Sequence, residues 1–301
     1  MTTASWSTRV RHDSDATYQE WRDEFITKLG VLVTGGFLTA DETNITPTAG
    51  ARPGANTEQG YAVYHLSDSL HGTAPVYIRF GFGTGAGTTT PRIQVTTGTS
   101  TNGSGVIGGT ALSTISNIQS VSASAQTTDT ARQSYMCAVE GFFGVNWKIN
   151  CGLAEGAFFI CRTCDSDGTP TVTGSMAHWG GGSVIWALKR QSFRYASSVA
   201  AYTATSAVDT SALGLSPQVP TNTTVGADVQ AMLGWTIEPR VVPLFGVCGV
   251  YSSELAVGGT FSTTLVGSTP RTFITLNGAA GPFGPVAANA TGGMNIAMVW
   301  E

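Results

Sequence analysis

Short apolar runs that alternate at a spacing of two, each closed by Gly, Pro, Asn or Asp, constrain this chain more than any other feature. Gly60–Leu66 (GYAVYHL) alternates, and Val76–Phe82 (VYIRFGF) alternates again after a short break. Alternation at that period puts every second side chain on one face of a strand, so it predicts half-buried β-structure. Arg92–Thr97 follows the turn GTGAGTTTP, the run TGTSTNGSGVIGGT reads as a strand edge and wide turn, and Tyr135–Val139 with Asn146–Ile149 form a further expected pair. Ala157–Arg162 meets a DSDG turn and returns toward TVTGSMAHW. Ser183–Leu188, Val241–Val250, Thr272–Leu276 and Asn295–Trp300 complete the series. No long repeat period is visible, which argues against a solenoid or propeller. The expected fold is mainly β: an antiparallel β-sandwich or barrel-like domain with one N-terminal amphipathic helix and long extended arms.

The helix is read from Tyr18, Trp21, Phe25 and Leu29, which recur at three- and four-residue steps on one face. Ser14 or Asp15 can cap it, and Gly30 is placed to end it. Such a stripe serves either as a plug for one end of a β domain or as a docking element for a neighbouring subunit. From Thr34 to Gln59 the pattern becomes irregular, with Pro47 and Pro53 lacking amide donors. This predicts an extended arm lying across a neighbouring surface, because loops of that length are uncommon inside compact domains. The organisation expected is therefore residues 1–59 as a docking helix and arm, and residues 60–301 as a β-rich domain with a long loop at 196–224. On that division, removing residues 1–59 leaves a folded domain that no longer assembles.

Composition narrows the function. Only 11% of the 301 residues are charged, and Thr, Ser, Ala and 38 glycines take their place. A surface poor in Lys and Glu is easily desolvated and suits contact with neighbours. Net charge is −4 without any cluster of Lys or Arg, so no direct nucleic-acid partner is expected. The N-terminus shows no apolar signal region and no apolar run reaches membrane-helix length, so the expected product is soluble, made in a cytoplasm and not membrane-bound. The five cysteines, Cys137, Cys151, Cys161, Cys164 and Cys248, are then expected as thiols.

Each motif that resembles chemistry lacks a partner. Cys161 and Cys164 have the spacing of a zinc or redox pair, but no second ligand pair exists and the context is a strand running into a turn. Asp165-Ser-Asp167-Gly168 opens like a calcium loop without its closing acid. His65, His71 and His178 show no ligand spacing. Gly81–Gly87 is glycine-rich, yet no Lys-bearing helix follows it, so a turn is expected there. No nucleophile elbow or evident carboxylate pair marks a hydrolase. No cofactor, metal or catalytic residue is expected. Trp147, Trp186 and Trp300 fall within strand patterns and read as core, whereas Trp6 and Trp179 read as contact anchors.

The order of the first 110 residues resembles that of a tailed-bacteriophage virion protein. The resemblance rests on Trp21–Phe25 leading to Leu29-Gly30, then Arg52-Pro53-Gly54-Ala-Asn56, then Gly60–Tyr64, Thr73–Phe80 and the Thr97 to Gly103 run. It implies a structural, non-enzymatic particle component of the tail tip, baseplate or fibre base, located in the virion. Its partners would be other virion proteins and copies of itself. A head decoration protein is the alternative, and an adsorption protein that binds host-surface glycans through exposed aromatics is a further one. The candidate subunit contacts are Trp6, Tyr18, Trp21, Phe25, Leu29, Arg52, Pro53 and Trp179.

Overall fold

The computed structural model describes residues 2–8, 14–45, 51–84, 91–108, 113–119, 132–148, 155–164, 167–182, 185–193, 221–222, 228–235, 241–251, 258–264, 269–276 and 294–300. In chain order the elements begin with β1 (Thr2–Thr8), α1 (Asp15–Thr34), β2 (Leu38–Thr43), β3 (Glu58–Leu66) and β4 (Tyr77–Thr84). Next come β5 (Pro91–Gly98), β6 (Ser100–Thr101), β7 (Ile107–Gly108), β8 (Ser113–Gln119), β9 (Arg132–Val139) and β10 (Phe142–Lys148). The middle holds β11 (Glu155–Cys164), β12 (Pro170–Gly182), β13 (Ile185–Phe193) and β14 (Thr221–Asn222). The last five are β15 (Asp228–Trp235), β16 (Val241–Tyr251), β17 (Thr260–Thr263), β18 (Arg271–Thr275) and β19 (Met294–Val299).

Among the described residues the fold is mainly β, with antiparallel sheets and one helix. A five-stranded sheet runs β2-β3-β4-β5-β8, and a twelve-stranded sheet is built along β1-β9-β10-β11-β16-β19-β18-β17. β11 joins the two halves of the large sheet. It pairs with β10 up to Cys161, with β12 on its other side, and with β16 through Thr163 opposite Leu244.

The alternation seen in the sequence becomes the packing. On β4, Ile78, Phe80 and Phe82 are fully buried while Tyr77 and Arg79 turn to the other face. Their cross-strand partners Tyr64 and Ala62 line the same inner face. Opposite them stand Met136, Ala138, Phe143, Val145 and Ile160 of the large sheet, so the sheets share one apolar core. Phe80 meets Phe143 edge-on with ring centroids 5.9 Å apart, and Phe25 of α1 meets Phe80 at 5.7 Å and Phe82 at 5.9 Å. Offset and edge-on aromatic contacts of this kind add to the burial itself.

Tyr18, Trp21, Phe25 and Leu29, expected as subunit contacts, are at most 3% exposed inside this core. The helix is thus the plug rather than the docking element, and these four side chains are not available to a neighbour in the folded chain. It also runs past Gly30, which is exposed, to Thr34. Gly30 costs about 1 kcal/mol of helix propensity, whereas burying Leu32 in the next turn returns roughly 1.5–3 kcal/mol. The end falls instead at Gly35 and Gly36, whose amides close on Val31 and Val33, with Gly36 at φ +82°.

The arm expected over 34–59 is held by its own chain. Leu38–Thr43 is a strand paired to β3. Arg52 donates from its backbone amide and its Nε to Asp15 at 3.1 and 3.0 Å, which keeps the Asp15 carboxyl below the usual range. Buried Arg22 reaches Gln59 at 2.7 Å, and Gln59 in turn donates to the carbonyl of Ala51. Pro53 is half-buried in this tethered stretch. The division at residue 59 therefore has no counterpart in the packing. Of the glycine-rich turn, Gly81–Thr84 belongs to β4, while residues 85–87 lie outside the described residues, as does most of the 196–224 stretch.

One buried ion pair ties the sheets together. Arg162 on β11 grips Asp68, in the connection between β3 and β4, through Nε and through Nη2 at 3.0 Å, and Nη2 also donates to the carbonyl of Ala74 at 2.8 Å. The two side chains are 0% and 2% exposed. Asp68→Ala strands a guanidinium in the interior and is expected to lower stability by about 3–5 kcal/mol. Urea denaturation followed by tryptophan fluorescence measures it, and a loss below about 1 kcal/mol, the level of an exposed pair, would contradict this role. Deleting residues 1–59 removes the helix core and β2 together. Circular dichroism of the truncated chain is expected to show no cooperative melt.

Candidate functional site

Because the inner face of the small sheet is apolar, its chemistry lies on the outer face. There the register sets Tyr61 opposite Gly81, Val63 opposite Arg79 and His65 opposite Tyr77. Arg79 forms a two-pronged pair with Glu58 (Nη1 to Oε2, 2.9 Å), donates from Nε to the carbonyl of Gly105 at 2.8 Å, and lies 4.8 Å over the Tyr61 ring.

The β6–β7 hairpin folds back over this face. Glu42, on β2, draws it in: its carboxylate accepts from the Thr101 hydroxyl and from the amides of Gly103 (3.0 Å) and Gly105. Partial burial pushes the Glu42 carboxyl up, but these three donors more than offset it and leave it below the usual range. Gly105, at φ +76°, has to be glycine, since a Cβ there would lie 2.2 Å from Tyr61 Cζ.

Beside the hairpin, two histidines meet that the sequence does not place together. His65, on β3, and His71, in the β3–β4 connection, stack with ring centroids 4.1 Å apart. His65 Nδ1 faces both oxygens of Asp41 at 2.9 Å, and Tyr77 packs against both rings at 5.5 and 6.0 Å. Asp41 sits in the β-bulge between Ala40 and Glu42, and that extra residue brings its carboxylate to the histidine. His71 Nδ1 is buried and, among the described residues, has no hydrogen-bond partner. The signal available in advance was weak: an outward position in GYAVYHL and a histidine in a turn six residues later. Among the described residues, no three His, Cys, Asp or Glu side chains are grouped to hold a metal ion.

The other expected features are scattered. Trp6 lies on β1 opposite Ser134, and Trp179 lies on β12 between Ala157 and Leu188, in a strand paired on both sides. Trp147 and Trp186 fall in β10 and β13, and Trp300 packs edge-on against Tyr135 at 5.7 Å. Cys161 and Cys164 both belong to β11, and Gly168 beyond them takes φ +86°. Cys137 is buried on β9, where burial pushes its thiol far up and removes thiolate reactivity. His178 is on β12, away from the stacked pair in sequence and in a different sheet. Among the described residues, no helix is long and apolar enough to cross a membrane. No protein-family model matches the chain, and no curated protein matches its sequence.

Glu42 is expected to control the hairpin. Glu42→Ala should raise amide exchange across residues 99–108 by about tenfold or more, given three lost hydrogen bonds to a charged group, with the core strands unchanged. Exchange measured by mass spectrometry checks this, and unchanged protection of 99–108 would contradict it.

Proposed function

We propose that this protein is a structural, non-enzymatic subunit of a tailed-phage particle, in the tail tip, baseplate or fibre base, where it joins copies of itself and other particle proteins. The observation that carries the assembly part is the state of the large sheet's ends. The path of that sheet begins at β1, TTASWST, and finishes at β17, TFST. Neither strand contains a charge or a proline, and each keeps an unbroken register with its inner neighbour. Among the described residues, neither outer edge has a backbone partner. Chains that stay monomeric blunt such edges with Lys, Pro or bulges. β1 packs against α1, so it is the β17 edge that offers a ladder to a neighbouring subunit, on a surface with little charge to desolvate. The placement in a phage particle rests on the resemblance of the first 110 residues.

Light scattering of the purified chain is expected to show oligomers at micromolar concentration. Ser5 and Ser262 are exposed on the two edge strands. Ser5→Lys combined with Ser262→Lys should shift the oligomers toward monomer and leave the melting temperature within a few degrees, since exposed substitutions change stability by about 0.5 kcal/mol or less. A wild-type monomer would remove the assembly reading. Mass spectrometry of gradient-purified particles tests the rest, and absence of the chain from them would remove the virion assignment.

A further inference from the structure

We propose that the stacked His65–His71 pair is an acid-operated latch, in which a proton taken up by His71 releases the β3–β4 connection, residues 67–76, from the large sheet. This goes beyond the assembly reading and does not depend on it.

The connection is held at both ends and in the middle. Asp68 and the carbonyl of Ala74 engage Arg162. The backbone amide and hydroxyl of Ser69 donate to Glu140, in the turn between β9 and β10. Ser67 donates to the carbonyl of Phe37 at 3.0 Å. His71 lies between these attachments, and its ring is fixed by His65 and Tyr77.

A neutral imidazole fits this position because Nδ1 can remain a bare acceptor. The imidazolium carries N–H on both nitrogens. Protonation would therefore place a charged, unpaired donor where Nδ1, among the described residues, is buried without a partner. The groups that face His71 do not relieve it. They are His65 from β3, Asp41 from β2, Tyr77 from β4, Asp68 from the connection itself and Arg162 from β11. Asp41 is already engaged by His65, and Asp68 by Arg162. The nearest ring is a second histidine, and Arg162 is a fixed cation.

Burial first, and His65 next, hold the His71 pKa below its ordinary value, against an upward pull from Asp68 and Asp41. The sign follows. A histidine depressed in the folded state supports the closed form fully above its unfolded pKa of about 6.5, and that support is lost as pH falls through the folded value. Opening the connection lets the ring hydrate, so acid favours the open form. The closed form is the one present at neutral pH.

Hydrogen exchange of the full chain, corrected for the intrinsic rate at each pH, is the test. Between pH 7.5 and pH 5 the peptide covering 67–76 should lose protection by about tenfold for each unit by which the His71 pKa is depressed, while β4 and β10 keep theirs. His71→Phe keeps a stacking ring without a titrating nitrogen and should abolish the acid response; His71→Gln serves where the Phe variant does not fold. Imidazole resonances of the wild type, followed by NMR, should show one ring titrating below the ordinary histidine value. Retained protection at pH 5 would overturn the proposal. So would an acid response that survives in a folded His71 variant, which would place the proton on a carboxylate, or a His71 ring that titrates at or above its ordinary value.

Discussion

The contact between Arg162 and Asp68 is the constraint on which the rest of the arrangement depends. Apolar faces alone bring two sheets together without saying which residue stands opposite which, because hydrophobic burial is non-directional. A buried guanidinium with two prongs on one carboxylate has a single acceptable geometry. The pair adds little net stability, since desolvating both charges consumes most of their attraction. Its effect is positional. By fixing the β3–β4 connection on β11 it sets Ser69 against Glu140 and holds His71 above His65. One Arg162 nitrogen, Nη1, is buried without a hydrogen-bond partner among the described residues, so the pair is intolerant of losing its carboxylate.

The helix solves a different difficulty. α1 joins the core that the two sheets share, contributing Tyr18, Trp21, Phe25, Leu29 and Leu32. Arg22 shares that face and is only 1% exposed, held by Gln59 and Asp23. The stretch after the helix is drawn back over it by Arg52 and Gln59. A segment that looks like a free arm by composition is thus part of the core's cover. Its irregular backbone is satisfied by contacts with helix and sheet, as at Asn44, which bonds to both the amide and the carbonyl of Tyr61.

What the sequence makes legible is whatever depends on near neighbours. The alternation in GYAVYHL and VYIRFGF marks β3 and β4 because each strand has one buried face. Strand β2, LTADET, escapes notice because its edge position leaves five of its six residues at least partly exposed, and β1, TTASWST, because small polar residues carry little hydrophobic contrast. Helix periodicity identifies α1 but cannot say which core receives the stripe; that depends on residues such as Phe80 and Phe143, distant in the chain. The histidine pair was hidden for the same reason. His65 and His71 meet where the connection folds back onto β11 and the β9–β10 turn, and no spacing rule encodes a loop's return path. Asp41 joins them through a bulge, a feature with no reliable mark in sequence.

The scarcity of charge then acquires a more specific meaning. Charged side chains in the described core and around it are engaged within the chain: Arg22 with Asp23, Arg52 with Asp15, Arg79 with Glu58, Arg162 with Asp68, Asp41 with His65, and Glu42 with the hairpin amides. Charges committed to internal geometry do little to keep neighbours apart. The strands at the two ends of the sheet's main path are built of Thr, Ser, Ala and aromatic residues, whereas β13, which pairs only with β12, carries Lys189 and Arg190. Charge is one device that keeps exposed strand edges apart, beside proline, bulges and cover by a helix. A subunit needs the opposite, because each charge on a contact edge must be desolvated or paired when the neighbour arrives. Low charge is therefore a constraint on the interior: among the described residues, charge is placed where a unique internal geometry requires it.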